Sequence, residues 1–228
     1  MMGRRWVAAA AAAVLAASAS GAWADDAGVF TFTVSRDGKP IGEHRVAFRH
    51  QGDRIEIETD MELKVSFAMV PVFRFTHRSH EIWEEGKPVL INATTDDDGR
   101  KYDITVHPNG HGLVRTVNER VDKLDGATKV LALWNRDTVT SPPGNFVSIV
   151  EDKTLDVAFR YLGKESMTLD GRLLDVDHYQ MVGEEERDIW YDADGRVARV
   201  TFMRDGSQIE YRRNEYHSAP FATDKMPQ

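Results

Sequence analysis

The stretch Asp53-Arg54-Ile55-Glu56-Ile57-Glu58-Thr59-Asp60-Met61-Glu62-Leu63-Lys64-Val65-Ser66-Phe67 decides how the whole chain is read. Ile55, Ile57, Met61, Leu63, Val65 and Phe67 fall on one face, and Arg54, Glu56, Glu58, Asp60, Glu62 and Lys64 fall on the other. Successive side chains of a strand point to opposite faces, so this period of two describes a strand with one apolar and one polar side. At about 3.4 Å per residue it would run nearly 50 Å, so it must bend with its sheet or carry a bulge. No amphipathic helical period is sustained after the first 24 residues, and period-two alternation recurs along most of the remainder.

Asp-Gly pairs set the turns between such strands, because both central residues of a type I′ hairpin need positive φ. They stand at Asp37-Gly38, Asp98-Gly99, Asp170-Gly171, Asp194-Gly195 and Asp205-Gly206. A two-residue loop at Asp205-Gly206 predicts Phe202 opposite Ile209, Val200 opposite Tyr211, Thr201 opposite Glu210 and Met203 opposite Gln208. Apolar then meets apolar. The same test at Asp98-Gly99 predicts Thr95 opposite Tyr102, Ala93 opposite Ile104 and Asp96 near Lys101. At Asp194-Gly195 it predicts Tyr191 with Ala198 and Ile189 with Val200, leaving Trp190 on the other face beside Arg199 for a cation-π contact. At Asp37-Gly38 a tight turn would set Phe32 against Glu43, so a longer turn or a bulge is expected there. The predicted fold class is all-β and mainly antiparallel. A large curved meander of this kind forms a barrel, half-barrel or sandwich with little helix.

The amino terminus reads as a signal peptide covering residues 1–24. Arg4 and Arg5 give a positive start, residues 6–17 are a continuous apolar run, and Ala22-Trp23-Ala24 is the small-x-small pattern that precedes cleavage. The run is shorter than the roughly 20 apolar residues of a membrane-spanning helix, so no transmembrane span is expected in the mature chain. The paired arginines also admit twin-arginine export, although Trp6-Val7-Ala8 fits the rest of that signal poorly. Residues 25–228 are expected to form a single β-rich domain, periplasmic or secreted.

The 228-residue chain has no cysteine and a formal net charge of −8. Loss of Arg4 and Arg5 with the signal would take that to −10. This disfavours nucleic acid as a partner, because phosphate contacts need clustered Lys and Arg. Without cysteine there is no disulfide framework, thiol nucleophile or lipid-modified cysteine at the cleavage point.

Two segments depart from hairpin logic. Phe67-Ala68-Met69-Val70-Pro71-Val72-Phe73 is apolar where a hairpin tip should be polar. It is either a buried strand kinked at Pro71 or a hydrophobic lip for a ligand, membrane or partner. Residues 122–152 look irregular and contain Leu131-Ala132-Leu133-Trp134-Asn135, in which Trp134 either caps the core or stacks on a bound molecule. Phe67, Met69, Val70, Phe73, Trp134 and Asn135 are therefore the candidate ligand-binding residues, placed together near one entrance.

Catalytic and metal motifs do not emerge. His77 and His80 are three apart on a strand and point to opposite faces, so they cannot chelate one ion, whereas His77 keeps the inward phase of Phe73 and Phe75. Asp96-Asp97-Asp98-Gly99 has Thr105 where a calcium loop needs its last carboxylate, and a hairpin turn accounts for it better. No Gly-x-Ser-x-Gly elbow, phosphate loop or dinucleotide fingerprint occurs. No cofactor is expected.

Arg36-Asp37-Gly38-Lys39-Pro40-Ile41-Gly42, Thr95-Asp96-Asp97-Asp98-Gly99, Leu133-Trp134-Asn135 and Trp190-Tyr191-Asp192-Ala193-Asp194-Gly195-Arg196 together resemble an uncharacterised family of exported proteobacterial proteins, a domain-of-unknown-function family. The resemblance covers nearly the whole mature chain and implies no assigned activity or catalytic residues. More loosely, the fold expectation is similar to the half-barrel carriers that move lipids or lipoproteins across the periplasm. Three functions follow as expectations. The first is non-enzymatic binding of an apolar or amphiphilic molecule, such as a lipid, inside the curved sheet. The second is an envelope interaction module with a packed core and a protein partner docked on the apolar segment or a sheet edge. The third is a hydrolase built on inward polar residues such as His77.

Overall fold

Positive φ at both central residues is what Asp-Gly supplies, and three of the pairs adopt it: Asp37 and Gly38 at 48° and 77°, Asp98 and Gly99 at 53° and 92°, Asp205 and Gly206 at 49° and 74°. A computed structural model describes residues 26–67, 70–169 and 171–217. In it these turns join strands of one continuous 15-stranded sheet. Residues 1–24, expected to be a signal peptide, lie outside the described residues.

Strands β1 (Asp26–Arg36), β2 (Lys39–Gln51), β3 (Arg54–Phe67), β4 (Val70–Glu84), β5 (Lys87–Asp97), β6 (Arg100–Pro108), β7 (Leu113–Val117) and β8 (Arg120–Lys123) form an antiparallel meander. A short β9 (Lys129–Val130) and a helical turn α1 (Asp137–Thr140) lead to β10 (Gly144–Val147). The second meander continues through β11 (Thr154–Leu169), β12 (Arg172–Gly183), β13 (Arg187–Asp192), β14 (Val197–Arg204) and β15 (Ser207–His217). β15 pairs antiparallel with β1, so the two meanders become one wall that turns its apolar side inward. The edges of that wall are β8 and β9, and between them lies a seam without strand pairing.

Side chains bridge the seam. Arg115 on β7, 5% exposed, donates through Nη1 to the Lys153 carbonyl at 2.8 Å. Its Nη2 lies 3.0 Å from Asp122 and 3.2 Å from Asp152. Arg120 adds contacts to Asp122 at 3.1 Å and Asp152 at 2.6 Å. Two arginines and two aspartates thus fasten the β7–β8 edge to the connection between β10 and β11.

The registers follow the sequence pattern closely at two turns. Around Asp205-Gly206 the pairs are Phe202–Ile209, Val200–Tyr211, Thr201–Glu210 and Met203–Gln208. Around Asp98-Gly99, Thr95 faces Tyr102, Ala93 faces Ile104 and Asp96 faces Lys101. At Asp37-Gly38 the expected bulge is present: Ser35 faces Pro40 and Val34 faces Gly42, which leaves Ile41 as the extra residue. Phe32 then meets His44 instead of Glu43. Gly42 sits where the chains press together, since a Cβ there would lie 2.0 Å from the Glu62 carbonyl oxygen.

One register differs from the expectation. Ile189 faces Val200, but Tyr191 faces Val197 instead of Ala198. The reason is Asp192, whose carboxylate accepts from the Asp194 and Arg196 amides and converts a two-residue loop into a wider one. Ala198 is displaced to the opposite face, where it packs with Trp190. The expected cation-π contact is there, with the Arg199 guanidinium 4.9 Å from the Trp190 ring.

Candidate functional site

The inward face of β4 holds Phe75, His77, Ser79, Glu81 and Trp83, all buried, in strict alternation with more exposed residues. Facing strands contribute Phe30, Phe32, Val46, Phe48, Met61 and Tyr102, which with Phe75, His77, Ser79 and Glu81 line a cavity of about 1310 Å³. Ligand pockets are ordinarily about 300–1,000 Å³, so the barrel interior is roomy even by that measure.

Charged groups line both ends of the cavity, with Arg136, Asp194 and Arg196 at the end where β13 turns into β14. Strand direction places the turns after β1, β3, β5, β10, β12 and β14 at one end, and there the lining is charged: Asp97, Arg100, Lys153, Glu185, Arg187 and Arg204. Several of these pair off, as Arg204 does with Asp97 at 3.0 Å and Lys153 with Glu185 at 3.4 Å. The opposite end is closed by residues 131–136. Tyr191 donates to the Leu133 carbonyl at 2.8 Å and Arg136 pairs with Asp177 at 2.6 Å, which fixes this segment to the second meander. Trp134 points inward from it, edge-on to Phe48 at 5.8 Å and to Trp83 at 5.2 Å.

Polar groups stand at two levels inside this apolar lining. Near the Trp134 end, the Glu81 carboxyl accepts from Trp83 Nε1 at 2.9 Å, Trp134 Nε1 at 3.3 Å and Ser79 Oγ at 3.4 Å. Burial pushes its pKa up, and those three donors only partly offset the cost of charge. Four residues back along β4, roughly 14 Å at strand spacing, lies a second level. There cross-strand neighbours Phe32, His44, Met61, His77, Thr95 and Tyr102 run from β1 to β6 as one belt. His77 Nδ1 is 2.9 Å from Thr95 Oγ1. His44 stacks on Phe32 at 5.5 Å and meets the Tyr211 edge at 5.7 Å, while the Tyr211 hydroxyl donates to the Met61 sulfur. Burial pulls His44 down to about 3 and His77 to about 4, so both rings are neutral at neutral pH.

Of the six residues expected to bind a ligand, those whose side chains the structure describes lie apart. Trp134 and Asn135 line the cavity at its closed end. The apolar 67–73 segment is the β3–β4 hairpin at the other end; Trp83 is thirteen residues beyond Val70, about 40 Å of strand path. Phe73 lines a separate hollow of about 110 Å³ with Leu63, Val65 and Phe202. Val72 is bulged out and exposed, since Phe73 faces Val65 and Pro71 faces Ser66. Met69 and the side chains of Phe67 and Val70 lie outside the described residues. Asn135 ties the loop to its own backbone, accepting from the Asp137 amide at 2.9 Å. His44, Glu81, Thr95 and Tyr211 were not singled out from the sequence. His44 shares strand phase with Val46 and Phe48, and Glu81 shares it with Phe75 and Trp83, so a polar residue in phase with aromatics was the signal to read.

No helix among the described residues is long and apolar enough to cross a membrane. The architecture is that of a barrel-like, antiparallel protein with a large interior. A family model, Domain of unknown function (DUF6134), matches residues 32–214, and the chain belongs to that family. Among solved structures the chain is similar to the beta-barrel-like protein of domain of unknown function DUF1849 from Brucella abortus. The TM-score is 0.60 at 5% identity, over 84% of this chain and 97% of that one, a likeness of fold. No curated protein matches the chain.

Proposed function

We propose that this is a non-enzymatic exported protein, periplasmic once residues 1–24 are removed, that holds an apolar or amphiphilic molecule inside its barrel. The observation that carries the reading is the cavity of about 1310 Å³, whose wall includes the aromatic and aliphatic side chains of Phe30, Phe32, Val46, Phe48, Met61 and Phe75, with charged groups gathered toward its ends. A void of that size gives up packing contacts throughout its wall, a cost that a folded protein tolerates when a ligand restores them. Organic extraction of protein purified from its native host, followed by mass spectrometry, should recover a lipid-like molecule at near-stoichiometric amounts. Recovery of none, together with no binding of an apolar fluorescent dye, refutes the reading. The export step is tested by sequencing the amino terminus of the protein in the periplasmic fraction, which should begin at Asp25.

A second reading, a protein-interaction module, draws on one specific feature. β11 pairs with β10 only over residues 154–157, so among the described residues its edge from Ala158 onward has no strand neighbour, and Tyr161 and Leu162 are exposed on it. A stoichiometric protein partner lost on Leu162→Pro, with the barrel still folded, would favour it over ligand carriage.

A further inference from the structure

Inside the cavity most polar atoms are already engaged. The Glu81 carboxyl has three donors, the Tyr211 hydroxyl is spent on Met61, and Thr95 is bonded to His77. At the level of the belt, the two imidazoles keep unbonded nitrogens. His77 is 2% exposed and lines the cavity, and its Nε2 has no hydrogen-bond partner among the described residues. Neither ring nitrogen of His44, one strand beyond Met61, has one either, although Phe32 and Tyr211 hold the ring in place. His44 is half-buried and both rings line the cavity, so nitrogens that the wall leaves unbonded are free to bond whatever fills the interior. We propose that His44 and His77 form a hydrogen-bonding station at mid-barrel for the uncharged hydroxyl-bearing head, an alcohol or a protonated carboxylic acid, of a single-chain amphiphile.

This rests on the cavity-binding reading and names the class of molecule bound. A neutral imidazole offers one N–H donor and one acceptor nitrogen, and a hydroxyl head answers both. The belt itself carries no cation to balance an anionic head, although Arg187 and Arg204 act on Tyr211 from the turn end of the same cavity, and burial resists protonation of either ring. An ionic phospholipid head is therefore poorly matched to this level of the barrel. A metal is poorly matched as well, for among the described residues no three His, Cys, Asp or Glu side chains are grouped to hold one. From the belt toward the closed end, Phe30, Phe48 and Trp134 supply an aromatic wall for the tail, with Trp83 packed behind Trp134.

The test uses the mature protein and displacement of the apolar dye N-phenyl-1-naphthylamine by dodecan-1-ol and by 1-chlorododecane. The chloride is the more apolar molecule, so a merely greasy cavity would prefer it. The station predicts the reverse, with the alcohol displacing dye at about tenfold lower concentration, the worth of one net buried hydrogen bond. In His44→Phe/His77→Phe that preference, read as the ratio of the two displacing concentrations, should vanish. His77→Gln, which keeps a donor and an acceptor, should retain it, and the native comparison stands without any variant. Dodecanoic acid separates the two sources of the head: it should bind at pH 5 and weaken at pH 8, where it is ionised. Equal displacement by alcohol and chloride, or tighter binding of the ionised acid, overturns the station while leaving a hydrophobic cavity intact. Failure of the dye and of every probe to bind removes the cavity reading and the station together.

Discussion

Replacing Arg115 with alanine should destabilise the barrel by about 2–3 kcal/mol, whereas the same change at Arg120 should cost less than about 1 kcal/mol. Both side chains touch Asp122 and Asp152, so a simple count of ion pairs would rank them alike. Their surroundings differ. The Arg115 side chain is 6% exposed and also satisfies the Lys153 carbonyl, while the Arg120 side chain is 54% exposed. Removing one partner of a buried pair leaves uncompensated charge and costs about 3–5 kcal/mol. Asp122 and Asp152 keep 24% and 36% exposure, and Arg120 remains beside them, which brings the figure down to the stated range. The assay is urea unfolding; at a slope of about 2 kcal/mol/M the Arg115 variant should lose about 1 M from its midpoint. Hydrogen exchange should quicken first in β7 and β8, next to the loosened seam. Equal effects of the two substitutions, or a midpoint unmoved by Arg115→Ala, would falsify the claim that this cluster holds the seam.

Further outcomes follow from single contacts. Gly42→Ala forces a Cβ against the Glu62 carbonyl, so β2 and β3 must part at the bulge, for a loss of about 1–3 kcal/mol by thermal or urea unfolding. Trp134→Ala removes two edge-on aromatic contacts and a donor to Glu81; about 2–3 kcal/mol should go, and apolar dye should enter and leave the cavity faster in stopped-flow measurements. The pH dependence has a definite sign. Folded His44 and His77 sit near 3 and 4, below the ordinary 6.5, so below pH 6.5 the unfolded chain binds protons that the folded one refuses. Their stability contribution is complete above pH 6.5 and falls toward pH 4 and 3, at up to about 1.4 kcal/mol per pH unit for each ring. Glu81, shifted upward, acts oppositely, since its contribution is complete below pH 4.5 and is lost as pH rises through its folded value. Because Glu81 opposes the rings, the test compares variants: His44→Phe should raise the urea midpoint at pH 5 relative to that at pH 7, and a pH 5 to pH 7 difference that the substitution leaves unchanged contradicts neutral burial of His44.

Much of the fold is legible because strand parity is a local property. The alternation from Arg54 to Val65 gave the correct faces of β3, and Phe202 with Ile209 gave a correct register from the turn alone. The misfit of Phe32 with Glu43 pointed to the bulge at Ile41. What parity cannot supply is which end of a strand a residue occupies relative to a distant segment. Trp134 and the 67–73 hairpin were grouped for their apolar character, and only the closed wall sets them at opposite ends. The Asp192 side chain rewrote the β13–β14 loop through two backbone amides, a local competition that the Asp-Gly signal masked. The belt was hidden for another reason: it is assembled from one residue on each of six strands, so every intervening register had to be right before His44 and His77 came onto one level.

The strand that begins the barrel is paired with the one that ends it, Thr33 with Arg212 and Val34 with Tyr211. Contacts of such sequence separation make closure slow relative to the local hairpins. Until β15 arrives, β1 presents bare amides and carbonyls to any extended chain nearby, an invitation to misassembly. A chain that emerges amino terminus first would join its two meanders only as the last strand appears, so until then β1 needs shielding.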